Sequence, residues 1–131
     1  MEKDHQETKI KSIIMTIQEI QKRAFQNSTD KGWHEEDLNV PVKLCLIHSE
    51  VSEAMEADRK NRFCTTHEKN IPFSKDFFEE SIKDTFADEL ADVVIRVCDL
   101  AEAKGIDLGY HIEQKMTYND SRKYKHGGKK Y

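Results

Sequence analysis

The sequence predicts an all-α fold, a four-helix bundle that forms one domain over residues 1–131. A chain of 131 residues can bury one hydrophobic core but not two. It contains only five glycines and two prolines, and its long stretches without either favour helices over a many-turned β fold. Hydrophobic residues make up 37% of the chain and charged residues 35%. An isolated bundle with a thin core fits this balance, but we favour a subunit that completes its core by oligomerisation.

The first two helices are predicted on either side of a polar break. Isoleucines recur at helical spacing across residues 8–25, which predicts the first helix there. The polar run at residues 27–32 ends this helix. The second helix is predicted over residues 41–60, because the proline at its start suits a first helical turn. Residues 61–75 are predicted to be irregular, since asparagine, threonine and proline punctuate them.

Two more helices are predicted in the second half of the chain. Asp76 can cap a third helix that ends before Gly105, because glycine is favoured just beyond helix C-termini. Asp107 can cap a fourth helix that extends to about Lys123. From about residue 124 the chain is basic and contains two adjacent glycines, so we expect a mobile tail there.

Composition excludes several classes of protein. The net charge of −4 gives no general attraction to nucleic acid polymers or to anionic membranes. No apolar run approaches membrane-spanning length, and the N-terminus lacks the apolar segment of a secretory signal. The three cysteines have no CxxC spacing, so neither a disulfide framework nor a zinc knuckle is indicated. We therefore expect a cytoplasmic protein.

Two pairs of acidic residues, Glu50 with Glu53 and Glu89 with Asp92, lie on the apolar sides of their predicted helices. At about 100° per residue, four apolar residues fall within about 60° of Glu50, and four fall within about 60° of Glu89. A carboxylate that faces a core needs a partner, a proton or a metal ion. A solvated helix face would explain one such pair, but two pairs favour a metal site. Ligands that are all oxygen favour Mg²⁺, with Mn²⁺ as a substitute, over zinc.

Several other side chains suit the binding of a phosphorylated ligand near such a site. Arg96 lies one turn beyond the second acidic pair, on the same side of the predicted helix. Lys115, Asn119 and Arg122 share one face of the fourth helix, which suits contacts to phosphate oxygens and to a sugar or base. Trp33, in the loop before the second helix, can stack on a nucleobase. A structural role for Trp33 between the first two helices fits the sequence equally well.

Together these residues resemble the MazG-like, all-α nucleotide pyrophosphohydrolase superfamily. That family carries an ExxE motif on one helix and an ExxD motif on a later helix. The motifs stand here as Glu50-Val51-Ser52-Glu53 and Glu89-Leu90-Ala91-Asp92. Downstream, Lys115, Asn119 and Arg122 with His126-Gly127 are similar to the family's Lys…Asn…Arg…His-Gly ending. The resemblance covers approximately residues 33–131.

The resemblance implies a magnesium-dependent enzyme that hydrolyses a nucleoside or deoxynucleoside triphosphate to the monophosphate and pyrophosphate. It further implies that the four acids bind Mg²⁺, that Lys115, Asn119 and Arg122 lie near the substrate, and that the chain forms a homodimer or homotetramer. Glu53 is our candidate for the carboxylate that also orients the attacking water. Lys115, assisted by Arg96, would stabilise charge on the leaving pyrophosphate.

Two features depart from the family pattern, and they leave the substrate open. The segment between the two motifs is longer than in compact members, and Arg96 occupies a position that is often aromatic in relatives. An all-α dUTPase-like hydrolase, which shares the metal chemistry, is the nearest alternative. A non-enzymatic helical interaction protein, with the acids as a partner surface, is the second. A di-iron carboxylate protein is disfavoured, because neither motif supplies a histidine three residues after its first glutamate.

Overall fold

The computed structural model describes residues 15–65, 71–123 and 125–130, except the side chains of residues 125 and 126. Within these ranges every regular element is helical, which confirms the predicted all-α class. The described residues form six helices instead of four. They are α1 (Ile17–Asp30), α2 (Val40–Arg59), α3 (Lys75–Ser81), α4 (Phe86–Ala103), α5 (Leu108–Asp120) and α6 (Lys125–Gly128).

The predicted end of the first helix is wrong. Thr16 caps α1, and the helix continues through the polar run to Asp30. Gly32 follows the helix end, and its positive φ of +85° is unfavourable for residues with a side chain. Asparagine, serine and threonine have modest helix propensities, so they did not stop a helix that packs against its neighbours. Residues 8–14 of the predicted helix lie outside the described residues.

Helix α2 matches its prediction closely. It begins at Val40 with Pro41 in its first turn and ends at Arg59. Asn39 caps it, because the backbone N–H of Val42 donates to Asn39 Oδ1 at 3.2 Å. The proline alone was therefore sufficient to predict the start of this helix to within one residue, and the Asn39 cap is an additional finding of the structure.

The third predicted helix is two helices in the structure. Ser74, not Asp76, caps α3, and a turn at residues 82–85 separates α3 from α4. Asp84 adopts a positive φ of 61°, and Thr85 caps α4 by accepting a hydrogen bond from the Asp88 backbone N–H. Phe78 and Ile82, which the projection placed beside Glu89, thus lie outside α4. No glycine or proline marks this turn, which is why the sequence pattern did not reveal it.

The turn also connects α4 to the end of α2. The backbone N–H of Phe86 donates to the carbonyl of Arg62 at 2.9 Å. The first residue of α4 is therefore held next to the segment that immediately follows α2. This hydrogen bond, together with the Thr85 cap, sets where α4 begins and which of its residues face α2.

Helix α5 begins as predicted. Asp107 caps it by accepting a hydrogen bond from the Tyr110 backbone N–H at 3.1 Å. Gly105, which follows the end of α4, has a positive φ of 65°, and this conformation suits a residue just beyond a helix. The helix ends at Asp120, before the predicted Lys123. Among the described helices, α5 packs against α1.

Helix α4 is the centre of the bundle, packed between α1 and α2. Among the described residues, the buried apolar side chains are small: Ala54, Ala57, Cys98 and Ala101. Many larger apolar side chains are exposed instead, so the core of the single chain is as thin as the composition predicted. None of the described helices combines the length and the apolar character needed to cross a membrane.

Gln21 is a buried polar residue that joins α1 to the turn between α4 and α5. It is 2% exposed. Its Nε2 donates to the carbonyl of Ile106 at 2.7 Å and to Glu102 Oε2 at 3.3 Å, while its Oε1 accepts from the Leu108 backbone N–H at 3.1 Å. One side chain therefore satisfies a backbone acceptor and a backbone donor that would otherwise lack partners.

We expect Gln21→Ala to lower the free energy of unfolding by about 2–3 kcal/mol, because it leaves these partners unsatisfied. Gln26→Ala is the matched control, since Gln26 is exposed and, within the described part of the chain, its side chain bonds only to Asp30 on its own helix. The control should change stability by less than about 0.5 kcal/mol. Urea unfolding followed by circular dichroism, at one protein concentration, measures both. Equal effects of the two substitutions would contradict the assigned role of Gln21.

Candidate metal centre

Three of the four predicted acids converge between α2 and α4. Glu50 and Glu89 are buried, at 7% and 6% exposure, and Asp92 is half-buried. One carboxylate oxygen from each of the three lies within 4.8 Å of the others. The inward orientation that helical projection predicted for Glu50 and Glu89 is therefore what the structure shows.

Local sequence explains how the two helices bring these carboxylates together. Ala54 and Ala57 are buried on α2, and side chains this small let the two helix axes approach closely. The Thr85 cap places Glu89 in the first turn of α4, where unpaired backbone N–H groups favour negative charge. The i,i+3 spacing then places Asp92 on the same side of α4 as Glu89.

The acids raise one another's affinity for protons. Burial, followed by the charges of Glu53, Asp92 and Glu50, raises the pKa of Glu89 to about 7. Burial, followed by the charges of Asp88 and Glu50, also raises the pKa of Asp92. A divalent cation would relieve the same repulsion that here favours protons, so the donor set fits a hard cation such as Mg²⁺.

Glu53 lies at the edge of this cluster. Its side chain is exposed, and its interaction with the Glu50 carboxylate raises the pKa of Glu53. The three converging oxygens do not include one from Glu53. Glu53 lies beside the buried acids and is open to water, which is compatible with the two roles predicted for it, as a metal ligand and as the group that orients water. Both roles stay predictions.

Arg96 provides the positive charge closest to the cluster. Its Nε donates to Glu50 Oε1 at 2.5 Å, and the two side chains are 41% and 9% exposed, respectively. Although burial opposes ionisation of Glu50, this hydrogen bond from Arg96 lowers the pKa of Glu50. The predicted placement of Arg96 on the acidic side of its helix is confirmed.

A pocket of about 370 Å³ opens beside the carboxylates. Glu50, Asp92 and Arg96 line one part of it, and Trp33 and His34 line another. Pockets of this size accommodate small organic ligands. Trp33 is 68% exposed, with Lys43 Nζ 6.0 Å from its ring centroid, so Trp33 packs little against the helices.

The wall of this pocket contains a hydrogen-bonded group that sequence reasoning missed. Asp99 Oδ1 accepts from Ser28 Oγ and from His34 Nε2, both at 2.9 Å. The His34 ring also packs on Phe25, with centroids 4.6 Å apart. Asp99 could have been suspected, because Asp92, Arg96 and Asp99 recur at i, i+4 and i+7 on one helix face. The partners Ser28 and His34 come from other elements, and no sequence signal joins them to Asp99.

The structure does not bring the predicted Lys115, Asn119 and Arg122 to the acids within one chain, and Arg122 lies beyond the end of α5. Lys115 and Asn119 are exposed and Arg122 is half-buried. Lys115 Nζ and Arg122 Cζ lie 5.2 Å and 5.6 Å from the ring centroid of Tyr118. Among the described residues, no hydrogen bond or ion pair joins these three side chains to the carboxylates. The side chain of His126 lies outside the description.

Comparisons with family models, with curated proteins and with solved structures find no match for this chain. The resemblance to the MazG-like superfamily therefore stays a prediction that depends on the motifs quoted above.

We expect the metal-free protein to lose stability as the pH rises from about 4.5 to about 7. Glu89 has a pKa near 4.5 when unfolded and about 7 when folded, so the folded state binds the additional proton in this interval. The stability that the additional proton on Glu89 contributes is fully present below about pH 4.5, and it is lost above about pH 7. Thermal unfolding in a chelator, across this pH range, measures the effect.

Glu89→Gln should remove most of this pH dependence. At pH 7.5 in chelator the variant should be more stable than the native protein by about 1–2 kcal/mol, after allowance for solvent screening at the open site. Glu79→Gln, at an exposed position of α3, is the control and should leave the pH profile unchanged. A Glu89→Gln profile as steep as that of the native protein would contradict the raised pKa of Glu89.

Proposed function

We propose that this protein is a magnesium-dependent nucleoside triphosphate pyrophosphohydrolase that produces the monophosphate and pyrophosphate. One observation carries the proposal: two of the three converging carboxylates, those of Glu50 and Asp92, line the same pocket as an arginine, a tryptophan and a histidine–aspartate pair. A ligand that fills this pocket must carry negative charge at one part and a planar polar group at another. Nucleotides have this combination, and the resemblance described above supports the same class.

Glu50, Glu89 and Asp92 would hold the ion, and Glu53 would complete the set from the exposed edge. The ion, when bound, would neutralise phosphate charge and lower the pKa of a water molecule. Glu53 is open to solvent and would orient that water toward phosphorus. Arg96, on the pocket side of the acids, would bind a phosphate oxygen of the substrate.

Trp33 and the Asp99 group would bind the nucleoside. The exposed Trp33 ring offers a stacking surface. Asp99 is held by Ser28 and His34, so its carboxylate is oriented before a ligand arrives. Such a carboxylate accepts hydrogen bonds from N–H or O–H groups of a base or sugar. This part of the pocket would select among nucleotides, including between a dUTPase-like and a broader specificity.

Lys115, Asn119 and Arg122 would reach a substrate in an oligomer, since within one chain α5 packs against α1. We propose a homodimer or homotetramer for this reason. Exposed apolar residues on the surfaces of α2 and α4 supply the surface that such an assembly needs. They include Val51 and Met55 on α2, at 52% and 58% exposure, and Leu90 and Val94 on α4, at 46% and 45%.

Pyrophosphate release from a panel of ribo- and deoxynucleoside triphosphates, with and without Mg²⁺, tests the activity. We expect Glu50→Gln and Glu89→Gln to reduce turnover at least about 100-fold, because each removes an anionic ligand from the site. Glu56→Gln, on α2 but paired with Lys60 at the surface, is the control and should retain activity.

The same panel separates the alternatives. Undiminished turnover by Glu89→Gln would exclude the proposed metal site. Cleavage of dUTP alone would favour a dUTPase-like enzyme. A protein with neither pyrophosphate release nor a Mg²⁺-dependent thermal shift would be a helical interaction protein instead.

Light scattering after size exclusion tests the assembly. We expect the native chain to elute as a dimer or tetramer, and the Val51→Glu/Val94→Glu variant to elute as a monomer, because buried charges would oppose association. Gln18→Glu, on the exposed side of α1, should leave the mass unchanged. A native protein that is monomeric at all accessible concentrations would contradict the proposed assembly.

A further inference from the structure

Arg96 occupies a position between the buried acids and the pocket. It extends from α4, and its Nε reaches Glu50 Oε1 on α2 at 2.5 Å. The Glu50 side chain is 9% exposed, whereas that of Arg96 is 41% exposed. The guanidinium group thus contacts a buried carboxylate while a large part of the side chain stays open to solvent and to the pocket that it lines.

Glu50, which accepts this hydrogen bond from Arg96, is one of the three converging carboxylates. A cation held by Glu50, Glu89 and Asp92 would share Glu50 with a permanently charged guanidinium group. Two positive charges that compete for one carboxylate weaken each other's binding. Arg96 therefore stabilises Glu50 as an anion, but it also opposes the arrival of a metal ion at the same oxygen.

The remaining donors of Arg96 are available for another partner. Among the described residues, its hydrogen bond to Glu50 is made through Nε, and no bond is formed by its two terminal nitrogens. A guanidinium group has five N–H donors in a geometry that matches phosphate oxygens. Its exposure leaves room for the side chain to rotate from Glu50 toward the pocket.

We propose that Arg96 exchanges Glu50 for a substrate phosphate and thereby couples metal binding to nucleotide binding. The inference depends on the proposed function, since it requires the metal and the nucleotide to share this site. Without nucleotide, Arg96 stays on Glu50 and lowers the affinity for metal. A nucleotide phosphate offers the guanidinium group a second anion, which releases Glu50. Each ligand therefore raises the affinity for the other by the same factor.

A purely structural role for Arg96 predicts the opposite result. If Arg96 only held Glu50 in the orientation needed to bind metal, its removal would disorder a ligand and weaken metal binding. The sign of the change in metal affinity thus distinguishes an exchanging residue from a supporting one.

Titration calorimetry with Mn²⁺, with and without an α,β-imido nucleoside triphosphate that resists cleavage, tests the proposal. Without nucleotide, the Arg96→Gln variant should bind Mn²⁺ at least about fivefold more tightly than the native protein does. A fivefold change is at the lower end of the coupling factors that are common between two binding sites. Arg96→Lys keeps the charge and should stay within about twofold of the native affinity. In the native protein the nucleotide should raise the affinity for Mn²⁺. In the Arg96→Gln variant the nucleotide should raise the affinity for Mn²⁺ by a smaller factor.

Arg59→Gln is the matched control, because Arg59 lies at the exposed end of α2 and, among the residues that the structure describes, forms an ion pair only with Glu56. It should bind Mn²⁺ as the native protein does. Weaker or unchanged Mn²⁺ binding by Arg96→Gln, in a native protein that does bind Mn²⁺, would overturn the coupling but leave the proposed function intact. A native protein that binds no Mn²⁺ in either condition would overturn both.

Discussion

The packing of α2 against α4 places two glutamates where water is largely excluded, and much of the structure follows from this constraint. Glu50 and Glu89 lie on the helix surfaces that form the small core, next to alanines that permit close approach. Leucine or methionine at these positions would give a larger apolar interface. The acidic residues instead bring mutual repulsion, a raised pKa for Glu89 and a dependence on neighbouring cations. Under the proposed function, the stability lost at this interface is the cost of preparing a site for a cation.

The thin core and the position of α5 could have one remedy. Among the described residues the buried apolar side chains are small, large apolar side chains of α2 and α4 are exposed, and α5 packs against α1, away from the acids. A second copy that covers the apolar surfaces would address both deficits at once. In this view association is part of the architecture of the site as well as a source of stability.

The sequence predicted some of these features because they depend on spacing within one helix. The start of α2 near Pro41, the cap at Asp107, the burial of Glu50 and Glu89, and the orientation of Arg96 all follow from local residues and a 3.6-residue period. The turn at residues 82–85 was not predictable, because it uses the positive φ of Asp84 without any glycine or proline. The Asp99 group was missed because its members lie on three separate elements, and only tertiary structure joins them.

The hydrogen bond between Phe86 and Arg62 has a further consequence. The chain leaves the end of α2 and returns to the start of α4 at nearly the same point, so residues 63–85 form a closed excursion with α3 inside it. The entropy of closing such a loop changes only slowly with its length. A change in the length of the excursion is therefore expected to leave the relative positions of Glu50 and Glu89 unaltered. The chain is in this sense modular: the length of one segment is independent of the carboxylate geometry.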